Sequence, residues 1–317
     1  MTISAVIPAF NARAYVGGAI ESVLAQSRRP DEIIVIDDGS TDGTGDVVRR
    51  YADKVRLIVQ AGAGASAARN AGIEAASGDW IAFLDADDQW LTGRLAAQCE
   101  YLQKYPQLVW TSGNFYRCQC GRNHRRYADI AEARLENVQK ILAERGFFVS
   151  YFDAHAAGAA GCTDTMLIRK DALLDAGLFL PGQKRMNDMD MWLRIAYSGR
   201  PMGYITEPLA VYHTDVAGSI VKTHTDAAFI CEFIDRHIEL SGRAGVQDEF
   251  RAMAARMIGY WMKILLGQKQ GREIRYILDR YKELLSEHFC RTMRINSYIP
   301  CAATAYEKIK QFLKSLA

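Results

Sequence analysis

Short, almost wholly apolar runs alternate with amphipathic stretches over the first ninety residues of the chain. The apolar runs cover residues 3–8, 32–37, 55–59 and 80–85. A strand that is apolar on both faces is typical of a parallel sheet covered by helices on each side. The stretches between these runs, at 12–27, 42–52 and 65–76, carry apolar residues at helical spacing. The alternation predicts an α/β fold with a doubly wound, mostly parallel sheet.

From residue 91 to about 224 the pattern is less regular. It predicts helices over 93–105, 132–145 and 188–198, and strands over 108–112 and 163–168. Residues 114–130 are polar, basic and aromatic without a clear period, which is typical of a surface loop or lid. Beyond residue 224, apolar stripes at helical spacing predict a C-terminal α-helical extension. We therefore expect two domains, 1–224 and 225–317.

Charge is nearly balanced over the whole chain but not along it. The 317 residues include 39 basic and 37 acidic side chains, so the net charge of +2 gives no reason to expect nucleic acid as a partner. Residues 250–317, however, hold 13 Lys and Arg against 5 Asp and Glu. Basic amphipathic helices with aromatic residues suit an anionic membrane surface. Packing onto the rest of the chain and a homodimer interface are the alternatives.

The N-terminus shows neither a basic leader nor a small-residue cleavage site. No window approaches the roughly twenty apolar residues that cross a bilayer. We expect a cytoplasmic protein, at most peripheral on the inner face of the membrane. The seven cysteines are an odd number and cannot all pair within the chain, so we expect reduced thiols.

Carboxylates follow two of the predicted strands. The second strand ends in Asp37 and Asp38, and the fourth ends in the run 85–88, Asp-Ala-Asp-Asp. Ligands of an open parallel sheet bind at the carboxyl ends of its strands. Clustered carboxylates repel one another, and a bound Mg²⁺ or Mn²⁺ would offset their negative charge. Phosphate oxygens would complete the coordination of the cation. Turn and helix capping is the alternative explanation.

Glycine patterns exclude two nucleotide-binding classes. There is no GxGxxG after the first strand and no GxxxxGK[ST] anywhere, which argues against a dinucleotide oxidoreductase and a P-loop NTPase. The stretch 62–66 contains Gly64 and leads into a predicted helix, so its backbone amides are candidates for binding an anion. A tight turn with a capping serine is the other interpretation.

Five blocks of residues stand in order along the chain. They are Pro8–Asn11, Asp37–Thr44, Gly64–Gly72, Phe83–Asp88, and a composite of Gly161–Arg169, Ala176–Phe179 and Asn187–Arg194. Together they resemble the blocks of family-2 inverting glycosyltransferases, which have the GT-A nucleotide-diphospho-sugar transferase fold. The resemblance covers roughly residues 1–220 and includes the DxD signature. It implies sugar transfer from a nucleoside diphosphate, with a UDP-sugar favoured, to a saccharide or glycolipid hydroxyl in bacterial surface polysaccharide assembly.

The resemblance also implies roles on the donor side. The backbone of Pro8 and Ala9 would line the nucleobase pocket, and Asp38 would accept a hydrogen bond from a base N–H. Arg69 would help to hold the nucleotide, and Asp85 would contact the ribose. The same nucleotide-binding set includes Asn11, Gly64 and Ala86.

The remaining roles concern the metal and the acceptor. By the same resemblance, Asp87 would ligate a divalent cation, Mn²⁺ or Mg²⁺, that bridges the two phosphates. His213 would reach the diphosphate or the metal. Asp188 would be the catalytic base that deprotonates the acceptor hydroxyl. Asn187 stands where the family usually has Glu, so acceptor hydrogen bonding differs from the usual pattern.

Two other functions are alternatives to sugar transfer. A sugar-phosphate nucleotidyltransferase on a similar sheet would want a loop rich in glycine and lysine after the first strand, and Pro8–Asn11 is not one. Loss of carboxylates at the DxD run or at Asp188 would indicate a catalytically inactive nucleotide-sugar-binding protein. All of these carboxylates are present.

Overall fold

The computed structural model describes residues 1–119, 125–130, 132–183, 185–214 and 227–298. The chain divides into two compact units, Met1–Ile220 and Val221–Ala317. The domain boundary that the sequence places near residue 224 lies outside the described residues.

The first unit is an α/β structure built on one mixed sheet. Its described strands are β1 (Ile3–Ala9), β2 (Glu32–Asp37), β3 (Arg56–Val59), β4 (Trp80–Phe83), β5 (Gln89–Trp90), β6 (Trp110–Gln119), β7 (Arg125–Ala128), β8 (Leu167–Arg169) and β9 (Gly203–His213). Its described helices are α1 (Val16–Leu24), α2 (Thr44–Arg49), α3 (Ala65–Ala75), α4 (Arg94–Lys104), α5 (Glu132–Arg145), α6 (Tyr151–Ala157), α7 (Lys170–Asp175) and α8 (Asn187–Ala196). A 3₁₀ turn, Thr163–Thr165, precedes β8.

The strand order is β3-β2-β1-β4-β8-β6-β9-β5, with β7 paired to β6. Strands β1 to β4 are parallel to their neighbours among themselves, whereas β8 runs antiparallel to both β4 and β6. Ala9 pairs with Asp37, so the chain leaves β1 and β2 at the same edge of the sheet. The predicted α/β class is confirmed, with its parallel part in the first half. The carboxylates after β2 and β4 share this carboxyl edge.

Helix α3 packs closely on β1. A Cβ atom at Gly72 would lie 2.3 Å from Cγ1 of Val6, so only glycine fits at this crossing. Val6 and Ala68 are fully buried in the same layer. This close packing holds Arg69, one residue further along α3, beside the carboxyl edge of the sheet.

The prediction of a loop or lid over 114–130 is wrong where the structure describes these residues. β6 continues to Gln119, and β7 pairs with it antiparallel. Asn114 lies inside β6, and its side-chain oxygen accepts the N–H groups of Phe115 and Ile130. Arg117 forms an ion pair with Asp129 at 2.6 Å. The polar side chains of this strand are therefore satisfied by partners that the local sequence does not show. For this reason the strand lacks the alternation of apolar residues that would predict it.

The second unit is helical, as predicted. Its described elements are α9 (Ala227–Ala244), α10 (Gln247–Gly267), α11 (Gly271–Arg280), a 3₁₀ turn (Lys282–Leu284) and α12 (Glu287–Tyr298). The stripe predicted on α10 is buried at Phe250, Met253, Met257, Trp261 and Leu265. Residues 306–316, which carry a further apolar stripe at helical spacing, lie outside the described residues. None of the described helices combines the length and the apolar character needed to span a membrane.

The cysteines depart in one place from the expectation of reduced thiols. Cys118, which is buried in β6, is disulfide-bonded. Cys99, Cys162, Cys231 and Cys290 are not part of a disulfide.

Candidate functional site

Asp38 joins two loops at the carboxyl edge of the sheet. It directly follows β2 and is 5% exposed. Its Oδ1 accepts hydrogen bonds from Gln60 Nε2 at 2.6 Å and from the Ala63 N–H at 2.8 Å, and its Oδ2 accepts from the Gly64 N–H at 2.7 Å. The carboxylate therefore anchors the turn into α3. Each carboxylate oxygen can accept two hydrogen bonds, so Asp38 retains acceptor capacity for a ligand.

Asn11 joins the loop after β1 to the loop after β2. Its backbone has φ of +47°, and its side-chain oxygen accepts the Thr41 N–H at 2.9 Å. Its own N–H donates to Ser40 Oγ at 2.9 Å. Asp42 accepts from both the N–H and the hydroxyl of Thr44, which is the turn-capping role that its sequence context predicts. These bonds hold the two loops side by side.

Arg69 lies between the end of β4 and the start of α8. Its Nη2 forms an ion pair with Asp85 Oδ1 at 2.6 Å, and its Nη1 is 3.5 Å from Asn187 Oδ1. The guanidinium also stands over the Phe179 ring, 5.5 Å from the centroid. Burial lowers the pKa of Arg69, but the charges of Asp85, Asp188 and Asp164 together raise it by more, so the net shift is upward. The arginine is thus the common counter-charge of both sides of the site.

Asp188 opens the first turn of α8. Its Oδ1 accepts the N–H of Met189 at 2.7 Å, and its charge acts on both Arg69 and Tyr151. The helix begins after Met186, which has φ of +52°, so the chain turns sharply just before Asn187. The side chains of Asn187 and Asp188 are partly exposed.

Three carboxylates converge behind this edge. One ligand atom from each of Asp85, Asp88 and Asp164 lies within 4.8 Å of the other two. Asp88 and Asp164 are each 1% exposed, whereas the Asp85 side chain is 30% exposed. Asp88 Oδ2 is buried, and the carboxyl group of Asp164 is its acidic neighbour. The group has the oxygen chemistry that a hard divalent cation prefers.

The same crowding raises the pKa values of the acids. Burial and the charge of Asp85 raise the pKa of Asp87 to about 6. Burial, with the charges of Asp87 and Asp85, raises the pKa of Asp88 well above its usual range. Burial, with the charges of Asp88 and Asp85, does the same for the pKa of Asp164. A cation at this edge would relieve the repulsion that these shifts express.

His213 ends β9 beside the acids. Its N–H donates to Asp88 Oδ1 at 2.6 Å, and its Nδ1 lies 3.3 Å from the same oxygen. The imidazole is near enough to Asp87 for its charge to lower the pKa of that carboxyl. A histidine whose Nδ1 faces a carboxylate has its Nε2 available as a metal ligand.

The residues selected from the sequence form neighbouring sets. The loop set is Pro8, Ala9, Asn11, Asp38 and Gly64, the charged set is Arg69, Asp85, Asn187 and Asp188, and the third set is Ala86, Asp87 and His213. Asp164 lies inside the fifth block, but its position in the sequence alone indicates no role for it. The only signal in the sequence is an acidic residue in an otherwise uncharged stretch, Gly161–Ile168.

Two features of α8 belong to the interior of the first unit. The pair of Asp190 and Arg194 is not on the surface, because Asp190 is fully buried, and Arg194 also donates to the carbonyls of Ala176 and Leu178. Trp192 is 3% exposed and packs near Phe83 and Phe179, so it belongs to the core rather than to an acceptor platform.

Comparisons with known proteins agree on one family. Residues 4–175 match the family model described as "Glycosyl transferase family 2". The chain is 29% identical to the "Putative teichuronic acid biosynthesis glycosyltransferase TuaG" of Bacillus subtilis, over 75% of this chain and 88% of that protein. It is 33% identical to the "UDP-Glc:alpha-D-GlcNAc-diphosphoundecaprenol beta-1,3-glucosyltransferase WfaP" of Escherichia coli, over 36% of this chain and 46% of that protein.

Among solved structures, the chain resembles residues 1–349 of TarS from S. aureus, crystallised in complex with UDP-GlcNAc. The TM-score is 0.61 at 17% identity, and the match covers 97% of this chain and 92% of that one. At this identity the likeness concerns the fold.

Proposed function

The chain belongs to glycosyl transferase family 2, and on that basis we propose that it transfers a sugar from a nucleoside-diphosphate donor to a hydroxyl of a saccharide or glycolipid, with inversion. The observation that carries the proposal is the position of Arg69. Its buried guanidinium forms an ion pair with Asp85 after β4, and the charge of Asp188 at the start of α8 raises its pKa. Donor-side and acceptor-side carboxylates thus share one counter-charge.

A UDP-sugar is the favoured donor. TarS was crystallised with UDP and with UDP-GlcNAc, and the name of WfaP specifies UDP-Glc. In this chain Asp38 retains acceptor capacity for a uracil N–H, beside the backbone of Pro8 and Ala9. Asp85, paired with Arg69, is available to the ribose. Asn11, Gly64 and Ala86 complete the loops that would surround the nucleotide.

A divalent cation, Mn²⁺ or Mg²⁺, fits the acids at this edge. Asp87 would be its carboxylate ligand and His213 Nε2 a further ligand, since Nδ1 faces Asp88. The close approach of the Asp85, Asp88 and Asp164 carboxyl oxygens and the raised pKa of Asp87 both express the crowding of acidic groups. When bound, the cation supplies Lewis-acid stabilisation of the diphosphate leaving group.

Asp188 would be the base for the acceptor hydroxyl. A carboxylate at the start of α8 can accept the hydroxyl proton as the new glycosidic bond forms. Attack from the side opposite the diphosphate inverts the anomeric centre. Asn187 beside it adds an amide rather than a second charge, so Arg69 faces one carboxylate fewer than it would with Glu at that position.

The names of TuaG and WfaP support a setting in bacterial surface polysaccharide or glycolipid synthesis. We propose a cytoplasmic location with contact between the C-terminal helices and the inner face of the membrane. Exposed aromatic side chains on these helices, Tyr260, Tyr276 and Tyr298, support it together with the basic composition of the region. A homodimer through these helices is the alternative.

Donor hydrolysis tests the proposed function. Purified protein is incubated with Mn²⁺ and uridine, guanosine or thymidine diphospho-sugars, and release of the nucleoside diphosphate is measured. We expect release with at least one UDP-sugar, dependent on Mn²⁺, and a loss of about 100-fold in Asp87→Ala. Asp46→Ala is the matched control, because Asp46 is 76% exposed and pairs only with Arg49 in the described structure. Release at the wild-type rate by Asp87→Ala, or no release from any donor, contradicts the proposal.

A further inference from the structure

The 3₁₀ turn Thr163–Thr165 is fixed from behind by a buried polar network. Thr165 Oγ1 and Ser112 Oγ are hydrogen-bonded at 2.8 Å, and Gln98 Nε2 donates to the Thr165 carbonyl at 2.9 Å. All three side chains are fully buried. A Cβ atom at Gly161, which has φ of +72°, would lie 1.7 Å from Ser112 Oγ, so only glycine lets the chain enter the turn here. The turn is therefore attached rigidly to α4 and β6.

From this turn Asp164 reaches across to the end of β4. Its Oδ1 accepts the N–H of Asp85 at 2.8 Å, although the two residues are 79 positions apart. The segment 85–88 is itself a tight turn, in which the Asp88 N–H donates to the Asp85 carbonyl at 3.0 Å. The far end of that turn is held by the His213 N–H, which donates to Asp88 Oδ1 at 2.6 Å. Asp87 lies between these two attachment points.

The positive charge of Arg94 lies behind Asp164 and offsets part of the cost of burying that carboxyl group. Arg94 is fully buried, its guanidinium stacks 3.9 Å from the Trp90 ring centroid, and its Nη2 donates to the Met166 carbonyl at 2.7 Å. Burial lowers the pKa of Arg94 to about 9, while the charge of Asp164 acts in the opposite direction. Arg94 thus remains charged at neutral pH. A buried carboxylate is expensive unless a charge or hydrogen bonds compensate it, and Asp164 has both.

We infer that Asp164 is a positioning residue, which holds the 85–88 turn so that Asp87 faces the cation and the diphosphate. We assign it this role rather than that of a ligand because its Oδ1 accepts the Asp85 N–H and its Oδ2 faces the Cys162 thiol at 3.8 Å. The inference rests on the proposed function and deepens it, because the 85–88 turn is where that function needs its metal.

Two variants separate positioning from ligation. In Asp164→Asn the amide oxygen can still accept the Asp85 N–H, whereas the carboxyl group is gone. In Asp164→Ala the acceptor is removed and the N–H of Asp85 loses its partner. Mn²⁺ binding in the presence of UDP is measured from the electron paramagnetic resonance signal of free Mn²⁺. We expect the Kd of Asp164→Asn to stay within about threefold of wild type, and that of Asp164→Ala to rise about tenfold or more.

The control is Asp171→Ala, since Asp171 is exposed and pairs with Arg169 on the same unit. Melting temperatures show whether each variant is folded. If Asp164→Ala is unfolded, Asp164→Ser replaces it, because a serine hydroxyl is too short to reach the Asp85 N–H. A Kd for Asp164→Asn raised as much as that for Asp164→Ala would make Asp164 a metal ligand and overturn the inference. Wild-type affinity in the alanine and serine variants would overturn it as well.

The binding measurement needs no turnover. A wild-type chain that binds Mn²⁺ and UDP in this Asp164-dependent way but releases no diphosphate would contradict the proposed function alone. Diphosphate release with an intact Asp87 dependence, and no effect of Asp164→Ala on Mn²⁺ affinity, would contradict the positioning role alone.

Discussion

At the residue scale, Arg69 links the two halves of the candidate site. Its guanidinium is 6% exposed, pairs with Asp85 and feels the charge of Asp188. The positive charge of a buried arginine stabilises negative charge on the carboxylates beside it. This shared counter-charge suits Asp188 to its proposed role as the base.

This role of Asp188 predicts a selective loss. Asp188→Asn keeps an acceptor for the Met189 N–H but cannot take a proton, so transfer to a true acceptor should fall by about 100-fold or more. The KM for the donor should change less than threefold, roughly, because the nucleotide loops are untouched. Steady-state kinetics with the donor and its acceptor measure both quantities. Asp175→Asn, at an exposed ion pair with Arg200, is the control. Transfer at the wild-type rate would show that another group is the base.

At the element scale, one carboxylate joins three segments at the opposite edge of the sheet. Glu32 begins β2, and its Oε1 accepts hydrogen bonds from the hydroxyls of Ser4 at 2.5 Å and Ser77 at 2.7 Å. It also accepts the N–H groups of Ser77 and Gly78 before β4. Burial raises the pKa of Glu32, but the hydrogen bonds lower it more, so the folded value lies below 4.5.

The sign of this shift fixes a pH dependence. Because the folded pKa is depressed, the contribution of Glu32 is fully present above its unfolded pKa and is lost as pH falls through the folded value. Glu32→Gln should lower the free energy of unfolding by about 1 kcal/mol at pH 7, a figure reduced for solvent exposure. The difference from wild type should shrink steadily below pH 4.5. Urea unfolding at a series of pH values measures it, with the exposed Glu74→Gln as control. An equal difference at pH 7 and at low pH would refute this account.

At the scale of the whole molecule, charge is divided between two unlike parts. The carboxylates of the candidate site all belong to the unit Met1–Ile220, whereas residues 250–317 are strongly basic. A juxtamembrane basic residue near an anionic surface contributes about 1 kcal/mol, and salt screens it. The membrane proposal therefore depends on the basic residues of the helical unit.

Vesicle flotation tests it with the full chain. We expect binding to vesicles of phosphatidylethanolamine and phosphatidylglycerol, and none to vesicles of phosphatidylcholine. Reversing three exposed charges on the helical unit, Lys269, Arg272 and Arg291, to Glu should weaken binding about tenfold or more.

Three reversals on the first unit form the matched control: Arg29, Arg50 and Lys54 to Glu, all exposed. Equal weakening by both sets would indicate only a general effect of net charge. Undiminished binding by the helical variant would exclude these helices as the membrane contact, and light scattering would then test the dimer.

The sequence by itself determined the local features of this protein. Apolar runs of strand length predict the α/β class, and apolar stripes at helical spacing predict the helical C-terminal unit. Both can be recognised from the sequence because each pattern lies within one strand or a few helical turns. The ordered blocks indicate the family for the same reason, and residues 4–175 match its model. The placement of Asp38 and the 85–88 turn at one edge of the sheet follows as well, since parallel strands bring their carboxyl ends to the same edge.

Only the tertiary structure decided which distant groups satisfy one another. It places Asp164 against the Asp85 N–H, 79 positions away. It buries the pair of Asp190 and Arg194, and it makes β6 a strand through polar partners on β7 and beyond. Burial and hydrogen bonding depend on what the rest of the chain brings to a residue. A pattern read along the sequence contains the residue but not its partners.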